Sequence, residues 1–77
     1  RLRAHPDIVD VPLDLEHEGA ITLLAMLVSL TPGTLALDVS EDGKTLRVHA
    51  MYARDPEAVR RAIKEGMERR ISAVFTQ

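Results

Sequence analysis

The run from Leu30 to His49 (Leu-Thr-Pro-Gly-Thr-Leu-Ala-Leu-Asp-Val-Ser-Glu-Asp-Gly-Lys-Thr-Leu-Arg-Val-His) contains a helix stop, a tight turn, a strand, a hairpin turn and a second strand. Pro32 cannot continue the apolar helix before it, and Pro-Gly at the two centre positions suits a type II turn, because Gly33 can take the positive φ that turn demands. Thr31-Pro32-Gly33-Thr34 is therefore a structural corner. Asp42-Gly43 marks a hairpin turn inside a loop of four or five residues. Everything else must pack around these two reversals.

Before the corner, Val9, Val11, Leu13 and Leu15 alternate with Asp10, Pro12 and Asp14, the pattern of a half-buried strand. Pro12 has no N–H for a ladder, which assigns this strand to a sheet edge. A helix follows from about His17–Gly19 to Leu30, with Glu16 and Glu18 beside the positive end of its dipole. Ile21, Leu23, Leu24, Leu27, Val28 and Leu30 fall on one half of its circumference, Thr22, Ala25, Met26 and Ser29 on the other. Neither half is charged, so the second half is expected to be a protein-contact surface.

After the corner, Leu35, Leu37 and Val39 form the expected inward face of one strand, and Leu46, Val48, Ala50 and Tyr52 that of the next. Asp10, Asp14, Asp38, Arg47 and His49 gather on the outward face as cross-strand pairs of opposite charge. Arg54-Asp55-Pro56-Glu57 is a helix start, with Asp55 as cap and Pro56 at the first helical position. This second helix is expected to run to about Phe75. Val59, Ala62, Ile63, Gly66, Met67, Ile71 and Val74 make its apolar stripe, and Glu57/Arg61, Lys64/Glu68 and Glu65/Arg69 its solvated back. One residue breaks the pattern: Arg70 falls about 20° from Val59 around the axis, inside the stripe, and must snorkel or find a carboxylate.

Together these elements predict an α+β fold: a two-layer βαββα domain with a three-stranded mixed sheet, the third strand central and both helices on one face. The 77 residues make a single small domain, of the size that leaves only about 3–5 kcal/mol of net stability. The unpaired edge of the first strand is a second expected contact, because an edge invites pairing.

Composition narrows the function. Ten basic and twelve acidic residues, interspersed, give a net charge of −2 and no basic stripe, and Tyr52 and Phe75 are the only aromatics, which argues against nucleic acid. No cysteine means no disulfide, thiolate nucleophile or zinc-thiolate site. The apolar run from Ala20 to Leu30 is about half the roughly 20 residues a membrane span needs. His5, His17 and His49 belong to a terminus, a helix start and a strand, without metal-ligand spacing. Thr31, Thr34 and Ser40 are turn or strand residues, and no glycine-rich phosphate cradle precedes a helix. No catalytic residue, metal or cofactor is expected, and the protein is not expected to be an enzyme.

The Leu-Thr-Pro-Gly-Thr corner with its short strand, followed by Val48-His49-Ala50, resembles the signature of the E subunit of the multisubunit sodium/proton (Mrp or Mnh) antiporters. The closing helix from Met67 to Phe75 is similar to that family's as well. Where family members continue after His-Ala with Leu-Asp, this chain has Met51-Tyr52, so no acid is carried over there. The resemblance implies the C-terminal domain of a non-catalytic accessory subunit, with an assembly or stabilising role in a bacterial cation/proton antiporter. It also implies a preceding membrane part, other antiporter subunits as partners, and a place at the plasma membrane facing the cytoplasm. Arg1 and Arg3 suit the positive-inside rule in that setting. Self-association of the domain through its neutral helix face is a further expectation. The other reading, a small-molecule-binding regulatory module, would need polar groups converging on an apolar pocket.

Overall fold

The computed structural model describes residues 7–51 and 55–75. The expectations placed on Arg1, Arg3, His5, Tyr52 and Arg54 lie outside them. Strand β1 (Asp7–Pro12) leads into helix α1 (Glu18–Leu30). Strands β2 (Thr34–Val39) and β3 (Thr45–Ala50) follow, then a long helix in three parts: α2 (Pro56–Ile63), a π-helical turn (Lys64–Glu68) and α3 (Arg69–Phe75).

The sheet order is β1-β3-β2, with β3 central, the arrangement expected and one that its hairpin and the α1 crossover allow. Both pairings are antiparallel, so the sheet is not mixed. The reason is topological: β1 and β2 run the same way but never touch, because the returning strand lies between them. Val9, Val11, Leu46, Val48 and Ala50 form one core with Ala20, Leu24 and Val28 of α1 and Ile63 and Ile71 of the long helix. Their alternates Ile8, Asp10, Leu35 and Arg47 are exposed, so both helices cover the same face.

Strand β1 keeps the expected alternation and is an edge. Leu13 N–H donates to Lys44 O (2.7 Å), continuing the ladder through the odd-numbered residues. Pro12 faces outward, where the ladder needs no N–H. Asp14 is not on the outward sheet face; it lies beyond the strand and pairs with Lys64 of the long helix (3.0 Å).

Strand β2 departs from simple alternation. Leu35 lies opposite His49 and Ala36 opposite Val48, but after a bulge at Leu37 it is Asp38 that meets Arg47 and Val39 that meets Leu46. The extra residue reverses the parity, so Ala36 packs against the core and Val39, opposite Leu46, lies on the helix side at the open groove, where it stays 37% exposed; Leu35 and Leu37 are exposed. A small residue belongs at position 36 because α1 closes on it: Ser29 Oγ accepts the Ala36 N–H at 3.1 Å.

In α1 the buried line is Ala20, Leu24 and Val28, flanked by half-buried Ile21 and Ala25. Leu23, Leu27 and Leu30 face outward, not inward, since a helix lying over the edge of a three-stranded sheet is covered across a narrower arc than half its circumference.

The long helix resolves the Arg70 anomaly. A π turn takes one residue more than an α turn, so the residues after it lag by roughly 100°, one residue's rotation. Ile71 comes round to the core and Arg70 turns out to solvent, needing neither snorkelling nor an internal carboxylate. Val74, expected inside, is 67% exposed, and Ala62 and Gly66 are exposed too.

Candidate functional site

The corner is held by side chains as well as by its turn. Gly33 has φ 88°, and its carbonyl accepts the Met51 N–H at 2.8 Å. Thr34 N–H donates to Thr31 O (3.2 Å), closing the turn. The Thr31 hydroxyl donates to the Leu27 carbonyl (3.0 Å), and the Val28 carbonyl accepts both the Thr34 hydroxyl (2.6 Å) and the Thr31 N–H (3.1 Å), so both carbonyls at this helix end have partners. At the hairpin, Gly43 has φ 73°. The Asp42 carboxylate accepts from the Ser40 hydroxyl (2.6 Å) and the Lys44 N–H (3.0 Å), which together hold Asp42 below the usual carboxylate range. The bonds of Thr31, Thr34 and Asp42 close a turn or cap a helix, and that of Gly33 joins the corner to the end of β3.

Beyond the corner, α1 and β2 enclose an open apolar groove of about 470 Å³. Thr22, Ala25, Met26 and Ser29, the four residues singled out in the sequence, all lie on its wall, with Ile21, Leu30, Ala36 and Val39 completing it. Their settings differ. Met26 is 58% exposed and Leu30 77%, whereas Ala25 is half-buried against the core and the Ser29 hydroxyl is engaged by Ala36. Residues 19–37 carry no charge at all, so the groove and the adjoining Leu23 and Leu27 make one neutral surface.

A polar cluster lies at the opposite edge. Glu68 is 4% exposed, and its Oε2 accepts the N–H groups of Asp14 (2.7 Å) and Leu15 (3.2 Å) while its Oε1 meets Lys64 Nζ at 2.8 Å. Lys64 also donates to Pro12 O (2.6 Å) and Asp14 Oδ2 (3.0 Å). Burial pulls the Lys64 ammonium down, but the bonds to Glu68 and Asp14 outweigh it, and the balance stands above the ordinary lysine value. The expected i,i+4 pair Lys64/Glu68 thus exists, but facing the core. On the neighbouring turn Glu57 pairs with Arg60 at i,i+3, and Arg60 Nε donates to Asp10 O (2.8 Å). The outward-facing carbonyls of β1 at positions 10 and 12 are therefore taken, and this edge is closed to a further strand, contrary to the sequence-based expectation.

The two described histidines do not converge. His17 caps α1, its Nδ1 accepting the Gly19 N–H (3.0 Å), and its ring leans on Phe75 with centroids 4.8 Å apart. His49 lies on the far sheet face between Ile8 and Leu35, and Arg47 pairs there with Asp10 (3.2 Å). Among the described residues no group of three or more His, Asp or Glu could hold a metal, and no helix is long and apolar enough to cross a membrane.

The family model for the Na+/H+ ion antiporter subunit matches residues 1–74. The chain belongs to that family. It is 40% identical over 74 residues to the E subunit of the Na(+)/H(+) antiporter of Alkalihalophilus pseudofirmus and 38% identical to that of Bacillus subtilis, matching 96% of this chain and 47% of each relative. It therefore spans about half the length of the curated relatives it matches. A chain in the structure of the Mrp complex from Dietzia sp. DQ12-45-1b superposes with a TM-score of 0.78 at 30% identity, covering 88% of this chain and 64% of that one. The sequence signal for this membership was the corner and the Val-His-Ala strand. Spacing gives Lys64/Glu68 as a pair but places it on the solvated side, and gives neither the burial of Glu68 nor the π turn; the one signal for both is Arg70 standing out of phase.

Proposed function

We propose that this chain is an accessory domain of a multisubunit Na+/H+ antiporter, without catalytic residues of its own. Its work is to hold other subunits together on the cytoplasmic side of the bacterial membrane. The relatives named as the E subunit of such antiporters and the likeness to a chain of the Mrp complex support the assembly. Membrane attachment and orientation rest on the family resemblance. The observation that carries the docking role is the uncharged groove along α1. The long helix exposes Glu57, Arg61, Glu65 and Arg69, whereas α1 exposes Thr22, Leu23, Met26, Leu27 and Leu30. Neutral, partly small walls suit close packing of an uncharged segment of a partner subunit, and a charged one would lose its hydration there without compensation.

A regulatory small-molecule site is less well supported, because the groove offers only the hydroxyls of Thr22 and Ser29, the latter already engaged. Site-specific photo-crosslinking in the full-length protein tests the docking role. A photoreactive side chain at Met26 should capture another subunit of the same antiporter, identified by mass spectrometry, and one at Arg61 should not. Equal capture from both positions, or capture from Arg61 alone, would refute docking through α1. A cysteine in place of exposed Glu41 should resist an impermeant thiol reagent in intact cells and react after lysis; reaction in intact cells would reverse the orientation.

A further inference from the structure

We infer that Glu68 is a latch that selects between two registers of the long helix, and that its release rotates the last two turns against α1. Continued as a plain α-helix from Val59 and Ile63, this sequence would bring Arg70 and Val74 to the middle of the buried face and turn Ile71 to its margin. With the π turn at Lys64–Glu68, Ile71 is buried while Arg70 and Val74 are exposed. The two registers compete: one buries Val74 at the expense of the Arg70 charge, the other buries Ile71 at the expense of one irregular turn.

What favours the π register is the contact of Glu68 with the β1–α1 loop. In that register the carboxylate reaches the N–H groups of Asp14 and Leu15, two donors that would otherwise lack partners at the foot of α1, and keeps its bond to Lys64. A π turn interrupts regular hydrogen bonding and recurs at positions with a specific task. Here the task is to carry one carboxylate inward. Gly66 in the middle of the turn is exposed, and a Cβ there would meet nothing within 4 Å, so the extra residue is accommodated without crowding.

The latch connects the two ends of the domain. The π register puts the Phe75 ring against His17, the cap of α1, so the position of the last turn is tied to the start of the helix that lines the groove. A partner that draws residues 14 and 15 away from Glu68 removes the bonds that select this register. The helix then resets by one residue, roughly 100°, and the Phe75 contact with His17 is lost. This rests on the docking role only for the identity of the trigger; the two registers stand on the geometry alone.

The chain contains no cysteine, so one introduced at Val74 reports the register by its reactivity, read by mass on the tryptic peptide that carries residue 74 of the full-length protein. With Glu68 present, V74C should react with maleimide as an exposed thiol. In E68A/V74C the reaction should slow at least tenfold, because the α register buries position 74. In E68Q/V74C it should slow several-fold, since an amide keeps one acceptor but loses the pairing with Lys64. Deleting Gly66 from E68A/V74C removes the extra residue, keeps Ile71 in phase in a plain α-helix, and should restore fast labelling. Labelling of both Glu68 variants at the parent rate would overturn the latch, and so would slow labelling that persists after the deletion. Should E68A not fold, E68Q/V74C with and without the Gly66 deletion decides. None of these outcomes depends on whether α1 docks a partner.

Discussion

At the scale of single residues, Lys64 and Glu68 exceed what their spacing suggests. An i,i+4 Lys/Glu pair on a helix surface contributes about 0.3–0.5 kcal/mol. This pair is different, since Glu68 is almost fully buried and ties the helix to the β1–α1 loop. Removing one partner of a buried pair costs about 3–5 kcal/mol because the other charge is left uncompensated. Lys64 is partly exposed, so K64M should lie at or below the low end, about 2–3 kcal/mol by urea unfolding, against less than about 0.5 kcal/mol for E65Q on the solvent side. The pH dependence has a definite sign. The Lys64 value is raised in the fold above the ordinary 10.5, so its contribution is complete below that value and is lost as pH rises through the higher folded one. The melting temperature measured from about pH 8 to 12 should fall above about 10.5 more steeply in the parent protein than in K64M. Equal slopes would remove Lys64 as the cause. The sequence could not show this, because i,i+4 spacing reads the same on a wet face as on a buried one; only Arg70, a charge inside an apolar stripe, signalled that the helix phase was wrong.

At the scale of elements, what was legible was local chemistry. The corner at Thr31-Pro32-Gly33-Thr34, the Asp55 cap with Pro56 behind it, the Asp42-Gly43 reversal and the outward Pro12 each follow from one residue's backbone preference, and each stands where expected. What failed was phase over distance. The bulge at Leu37 and the π turn at Lys64–Glu68 each insert one residue, and each is imposed by something remote in sequence: α1 closing on Ala36 and the β1–α1 loop claiming Glu68. Strict periodicity, which assumes regular elements, therefore placed Leu35, Leu37 and Val74 inside. The corner yields a prediction of its own. Gly33 at φ 88° lies where an L side chain costs about 1–2 kcal/mol, so G33A should lower stability by that amount in urea titration. Changing Pro32, which is exposed, to Ala should cost less than about 1 kcal/mol, since the threonine hydroxyls still cap α1. A G33A loss no larger than that of P32A would mean that the turn is not what holds the corner.

At the scale of the whole molecule, the sheet edges decide what kind of contact the domain can make. The β1 edge is occupied by Arg60 and Lys64 at the carbonyls of Asp10 and Pro12, and on β2 the Ser29 hydroxyl takes the Ala36 amide just before the bulge. The β1 edge is thus guarded against pairing with another strand, one amide of β2 is taken, and the docking proposed above is by side-chain packing into the groove. Ala25 and Ser29 are poor positions to test it, because a lysine at either would disturb the core or uncap Ala36. Thr22 and Met26 are exposed on the same wall. T22K/M26K in the full-length protein should leave the melting temperature within about 2 °C, as surface substitutions do, because neither side chain belongs to the core. It should nevertheless reduce co-purification of the other antiporter subunits at least fivefold, since two ammonium groups would be desolvated without partners in a neutral contact. E57K/R61E on the charged back of the long helix, which changes as many charges away from the groove, should co-purify like the parent. Co-purification of T22K/M26K at the parent level would mean that the α1 groove is not the surface by which the subunits hold one another.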